Sequence, residues 1–312
     1  MNDTTVATLH SPAGSHLRSG NGDVRPFRYV VITPARNEGE NIEATIQSLA
    51  AQTNPPLEWI IINDGSTDNT LAIVNRYAAK YPWLRTFHLP DRGFREPGSG
   101  VIRAFNYGLA RLVAQEWDFI VKLDGDLELA PDYFERCFRE FEKDSRLAVG
   151  GGTICHEKNG VLRQDVDVEF HVRGATKIYR REFWNEMGGL PPVVGWDTLD
   201  ELKANMLGWT SRTFTNVNVL HRRPTGAADG AWRNWVKNGR ANYITGYHPL
   251  FMALKCAKRI PQRPYFLAAL GLFCGFVSGY LKGEPQVDDR ALIRYVRKQQ
   301  LRRLFLQESL WK

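Results

Sequence analysis

The sequence predicts an α/β fold, a mostly parallel sheet flanked by helices, followed by a separate helical region. Three observations carry this. Short β-type runs alternate with amphipathic helical patterns over roughly 125 residues, the signature of a parallel sheet covered on both faces. Two acidic clusters, Asn63-Asp64-Gly65-Ser66 and Asp124-Gly125-Asp126, each directly follow such a run. Residues 222–312 hold 17 Lys/Arg against 5 Asp/Glu, setting a basic carboxyl-terminal region apart from an acidic body.

Tyr29 to Thr33 is the first β-type run, stopped by Pro34. Ile42, Ile46 and Leu49 recur at helical spacing and predict a helix over 40–51. Residues 58–62 read as the second strand, and Ser66-Thr67-Asp68 offers caps for a helix carrying Leu71, Val74 and Ala78. A third strand is expected over 84–89, a helix over 100–115 with Ala104, Leu109 and Leu112 inward, and a fourth strand over 118–123. Pro131 suits the first turn of a helix bearing Phe134, Phe138 and Phe141. Ala148-Val149-Gly150 begins another strand, after which the pattern turns irregular and rich in Gly and Trp.

The net charge is +7 over 312 residues. Residues 1–25 are polar with no apolar core and read as a disordered leader, not a secretory signal. The body is expected over 26–225 and the basic helical region over 226–312. Cys137, Cys155, Cys256 and Cys274 form no metal-like spacing and read as reduced thiols in a cytoplasmic setting.

In open α/β sheets ligands bind at the carboxyl ends of the strands, where both acidic clusters fall. Asp124 and Asp126 can approach one hard cation, which would share its coordination with phosphate oxygens. The competing structural reading makes them turn caps. Asn63-Asp64-Gly65-Ser66 is either a capped turn or a nucleoside contact.

Five ordered motifs resemble the family 2 glycosyltransferases, whose fold is the GT-A sheet. They are Val30 to Glu38 (P-x-x-N-E), Ser48 to Thr53, Asn63 to Asp68, Arg103 to Gly108, and Leu123 to Asp126. Asn63 replaces the family's first aspartate. The resemblance implies an inverting transferase using a nucleotide-diphosphate sugar. It implies that Asp64 contacts the nucleoside, that Pro34 and Ala35 line the base, and that Asn37 and Glu38 complete that loop. Asp124 would meet the ribose or diphosphate, and Asp126 would ligate Mg2+ or Mn2+. Arg92 and Arg103 would meet the diphosphate, unless they are surface arginines. His221 would touch the metal or diphosphate, unless it is a surface histidine at a strand end.

The family's late E-D motif ends in a glycine 11 positions beyond its aspartate, and counting back from Gly208 gives Asp197. Trp196 then stands for the glutamate and Lys203 for the usual arginine, so Asp200 and Glu201 remain alternatives. An inverting transfer needs one carboxylate to take the acceptor hydroxyl's proton. The structural reading of Asp197 is a helix N-cap.

Tyr265 to Leu281 carries no charge over 17 residues, and as a helix would be about 26 Å long, short of a ~30 Å hydrocarbon core. Gly271, Gly275 and Gly279 line one face, and Pro249 to Ala257 is a second apolar stretch. Basic residues flank both. A helical hairpin lying in or dipping into the inner leaflet of an anionic membrane fits this pattern, with a lipid-linked or glycan acceptor there. The alternative is a soluble appendage packed on the body. A nucleic-acid partner is disfavoured because the basic residues flank apolar runs instead of stacking aromatics. A nucleotidyltransferase would carry a Gly-rich phosphate loop after the first strand, where this sequence has none, and a non-catalytic binding module would not need Asp64, Asp124, Asp126 and Asp197 together.

Overall fold

The computed structural model describes residues 27–311 except 95, 97, 159–160, 166–167, 169 and 224–229. The leader expected over 1–25 and the boundary expected at 225/226 lie outside the described residues. The amino-terminal elements are β1 (Tyr29–Ala35), α1 (Ile42–Ala50), β2 (Glu58–Asp64), α2 (Thr70–Ala78), β3 (Leu84–Leu89), α3 (Ser99–Leu109) and β4 (Phe119–Leu123). Then come β5 (Leu127–Leu129), α4 (Tyr133–Lys143), β6 (Leu147–Lys158), β7 (Val161–Gln164), β8 (Thr176–Arg180), α5 (Arg181–Met187), α6 (Trp196–Met206) and β9 (Thr210–His221). Four helices close the chain: α7 (Ala231–Ile244), α8 (Pro249–Arg259), α9 (Leu267–Leu281) and α10 (Arg290–Leu304).

The strands form one sheet in the order β3-β2-β1-β4-β8-β6-β9-β5, with β7 on β6. β3, β2, β1 and β4 pair in parallel, as their alternation with helices predicts. The other half is mixed, because β8 runs antiparallel to both β4 and β6 while β9 joins β6 in parallel. Side chains alternate across β1. Tyr29 and Val31 enter the core under α1, α2 and α4, while Val30 and Ile32 enter the one under α3, α5 and α6. Burial on both faces explains why these strands read as continuous apolar runs.

Two boundaries differ from the expected ones. The helix expected to reach 115 ends at Leu109, because the buried Glu58 carboxylate accepts the backbone N–H groups of Val113 (2.8 Å) and Ala114 (2.9 Å). Pro131 lies just ahead of Asp132, the N-cap of α4, not inside its first turn. In β6, Gly150 and Gly151 are forced by close approach. A Cβ at Gly150 would lie 2.4 Å from the Phe214 ring, and one at Gly151 2.5 Å from the Thr176 carbonyl.

The carboxyl-terminal helices share a third core with α6, in which Leu199 and Leu202 meet Tyr243, Leu272, Phe276 and Val296. Lys203 of α6 bonds Asp289 (2.5 Å), which also caps α10 by accepting the Leu292 N–H. The glycine face of α9 packs on α7, where a Cβ at Gly275 would come within 2.0 Å of the Val236 carbonyl. Among the described residues, no helix is long and apolar enough to cross a membrane.

Candidate active site

The carboxyl edge of the parallel strands collects the expected donor residues. The β1–β2 register sets Pro34 opposite Ile62 and Ala35 opposite Asn63, one residue from Asp64. The next loop is stapled to the Asp64 turn. Asn37 adopts a left-handed backbone (φ 53°), its N–H donates to Ser66 Oγ (3.0 Å), and its Oδ1 accepts the Thr67 N–H (2.8 Å). Glu38 donates its N–H to Thr70 Oγ1 (2.8 Å) and pairs through its side chain with Arg223.

Arg92 reaches Asp64 through two bonds of 2.7 Å each, a bidentate fork. Arg36 donates to the Asp64 carbonyl and pairs with Asp91 (2.6 Å). Arg92 therefore stands at Asp64, whereas Arg103 pairs with Glu96.

The second acidic turn is built by two long-range contacts. Pairing of β5 with β9 sets Leu127 opposite His221, which brings His221 Nε2 to 3.1 Å from Asp126 Oδ2. Arg223 Nε lies 3.4 Å from the same oxygen. Burial works against the His221 imidazolium, but the hydrogen bond and charge of Asp126, with Asp124 behind it, raise its pKa. Burial also raises the Asp124 carboxyl, opposed by Lys122 and reinforced by Asp126. Asp126 and His221 form one oxygen–nitrogen pair. Among the described residues, no group of three or more His, Cys, Asp or Glu closes on one point.

Asp197 lies in the first turn of α6, behind Gly195 in a left-handed conformation (φ 86°). It is not the N-cap: Gly195 holds that position, and no side chain caps the helix. Its carboxylate packs on Gly174, where a Cβ would sit 3.2 Å from Asp197 Oδ2. The Gly174 carbonyl accepts a bond from Lys122 Nζ (2.5 Å), and the same ammonium pairs with Asp124. One buried lysine thus joins the acidic turn to the wall of the Asp197 carboxylate.

Asp200 and Glu201, the alternatives to Asp197, lie in a different environment. Both carboxylates are fully buried around Lys177, whose Nζ stands 2.8 Å from Asp200 Oδ1 and 2.8 Å from Glu201 Oε1. Tyr179 donates its hydroxyl to Asp200 (2.6 Å), and the Val172 N–H (2.6 Å) and His171 Nδ1 (2.9 Å) bond Glu201. A carboxylate enclosed this way cannot reach an acceptor hydroxyl. Lys177 also donates to the Asp197 carbonyl (2.5 Å), so the buried trio positions the half-buried residue above it.

Sequence reasoning missed Lys122 and Lys177. Cross-strand pairing sets Lys122 opposite Lys177, and both ammoniums lie over the Trp196 ring, at 5.4 and 5.6 Å. The available signal was a single lysine inside each of two buried strands, Phe-Ile-Val-Lys-Leu and Thr-Lys-Ile-Tyr-Arg.

Residues 30–193 match the model of the family Glycosyl transferase family 2. Over 118 residues the chain is 35% identical to the chondroitin synthase of Pasteurella multocida (strain Pm70), covering 38% of this chain and 11% of that protein. It is 31% identical over 159 residues to the uncharacterized glycosyltransferase YibD of Escherichia coli (strain K12), covering 51% of this chain and 43% of that protein. The matches thus span less than half the length of either relative. Among solved structures the chain is similar to the mannosyltransferase PcManGT from Pyrobaculum calidifontis, in complex with GDP-Man and Mn2+. That likeness has a TM-score of 0.53 at 17% identity and covers 92% of this chain and 91% of that one. It is also similar to S. aureus TarS 1-349 in complex with UDP-GlcNAc (TM-score 0.51, 17% identity, 88% and 81% covered). Both likenesses are likenesses of fold.

Proposed function

Because the chain belongs to glycosyl transferase family 2, we propose that it moves a sugar, with inversion, from a nucleotide-diphosphate donor to a lipid-linked or polysaccharide acceptor. The observation that carries this reading is the Lys122 bridge, which ties the Asp124 turn to Gly174, against which the Asp197 carboxylate packs. A donor held at that turn would present its anomeric carbon toward Asp197.

Each residue then has one task. Pro34, Ala35 and Asp64 receive the nucleoside, with Asn37 and Glu38 fixing their loop, and Arg92 at Asp64 supplies cationic donors beside it. Asp124, neutralised by Lys122, faces the ribose and diphosphate. Asp126 and His221 suit Mg2+ or Mn2+, since such ions take one or two protein ligands and complete their shell with phosphate oxygens and water. Bound there, the ion would neutralise charge on the departing diphosphate. Asp197 takes the proton from the acceptor hydroxyl as it attacks opposite the leaving group. Asp200, Glu201 and Lys177 hold Asp197 in place.

The polysaccharide synthase among the sequence relatives and the donor-bound structural neighbours support this reading. The basic, apolar carboxyl-terminal region supports a place for the enzyme at the inner face of an anionic membrane. The test is Asp197→Asn, which keeps shape but cannot accept a proton. Turnover should fall about 10²–10⁴-fold while nucleotide-diphosphate affinity stays near wild type. An active Asp197→Asn variant would overturn the assignment of the base.

A further inference from the structure

We infer that α9 presents a fixed apolar face that seats this protein on an anionic lipid bilayer, with a basic notch beside it for lipid phosphates. The inference rests on the membrane placement proposed above and assigns the surface that makes the contact.

The two faces of α9 have different fates. Gly271, Gly275, Gly279, Leu272 and Phe276 are buried, and the glycines bring α9 into backbone contact with α7. The opposite face is apolar and open. Phe266, Leu270, Phe273 and Leu281 are 67%, 54%, 51% and 83% exposed. The spacing of Leu270, Phe273 and Leu281, completed by half-buried Val277, places these four on one side of the helix, with Phe266 at its N-cap. This stripe is about 22 Å long, too short to span a bilayer but long enough to lie along its surface. Leu250 and Leu254 of α8 and Ile260 at its end are exposed apolar residues as well.

Charge decides the occupant. Residues 249–283 contain Lys255, Lys258, Arg259, Arg263 and Lys282 and no Asp or Glu. A cavity of about 310 Å³ flanks the carboxyl half of α9, lined in part by Arg233, Lys237, Arg240 and Lys282. Its single acid, Glu284, is committed to Arg240 (2.6 Å). An exposed apolar stripe rimmed by cations matches an anionic bilayer, with acyl chains under the stripe and phosphates at the rim. Because Leu272 and Phe276 are spent inside the protein, the contact is a preformed plate and not an inserting hairpin.

The test uses the full chain and vesicles of phosphatidylcholine with or without phosphatidylglycerol, read by cosedimentation. Thermal stabilisation by UDP or GDP with Mn2+ serves as a control for the donor site. Wild type should bind the anionic vesicles and be only partly released at high salt, since screening weakens the cationic contribution alone. Leu270→Glu with Phe273→Glu should weaken binding at least tenfold with the donor control unchanged. Should that pair disturb folding, Leu281→Glu, at the exposed helix end, probes the same stripe. Arg233→Glu with Lys282→Glu should lower low-salt binding and flatten its salt dependence. Undiminished binding by the stripe variants would overturn this face while leaving the membrane placement standing. No binding by wild type at low salt would overturn both. A dimer in solution that the stripe variants dissociate, without vesicle binding, would assign the face to a second copy instead. Loss of the donor control in wild type would count against the donor site alone.

Discussion

Lys177→Met tests the buried support beneath the active site. The substitution keeps the side chain's length and removes its charge, leaving buried Asp200 with no ion-pair partner and buried Glu201 with His171 alone. Breaking a buried ion pair by removing one partner costs about 3–5 kcal/mol. Asp200 retains Tyr179 and the Glu201 N–H (2.8 Å), and Glu201 retains Val172 and His171, so the lower half of that range is expected. At ~2–4 °C per kcal/mol for a large domain, melting should fall by roughly 10 °C. The pH dependence gives a second signature. Burial, opposed by Lys177 and reinforced by Glu201, already holds Asp200 up at about 6. Without the lysine the folded-state Asp200 carboxyl titrates higher still, and a raised acid binds more protons folded than unfolded. The variant's stability therefore declines as pH rises, and its deficit should be smaller near about pH 5.5 than near about pH 8. Denaturant melts at the two pH values measure it. A deficit below about 1 kcal/mol, or one equal at both pH values, would refute the picture of two carboxylates dependent on one lysine.

Two further outcomes follow from the same geometry. Binding of a nucleotide diphosphate should weaken strongly in chelator, because Asp126 and His221 alone present few ligands to a diphosphate; calorimetry with and without chelator decides it. Burial opposes the His171 imidazolium, but the charge and hydrogen bond of Glu201 raise it above its ordinary 6.5. That contribution to stability is complete below about pH 6.5 and is lost as pH rises through the folded value. His171→Phe should accordingly cost more near about pH 6 than near about pH 9, measured by urea melts against wild type.

The legible part of this chain is the part whose information is local. β1, β2 and β4 announce themselves as apolar runs because both faces are buried, and the acidic turns follow them directly in sequence. β5 has three residues, β6 is interrupted by Gly150 to Gly152, and β8 carries a buried Lys177 within its five residues, so none has a clean period. The end of α3 was illegible for another reason: Glu58, some 55 residues away, takes the N–H groups the helix would have used. At the site, the spacing from Gly208 points to Asp197 and leaves Asp200 and Glu201 as alternatives. Burial separates them, and burial depends on Lys177, a partner 20 to 24 residues upstream.

The short pairing of β5 with β9 has a consequence during synthesis. Asp126 and His221 are 95 residues apart in the chain, and only that pairing brings them together. At about 5–20 residues per second, a ribosome needs roughly 5–20 s between making one and making the other. For that interval β1 to β4 and Asp64 have been made, but His221, the partner of Asp126, has not. Capture of donor with metal by chains stalled at successive lengths should therefore appear abruptly, only once β9 has left the exit tunnel.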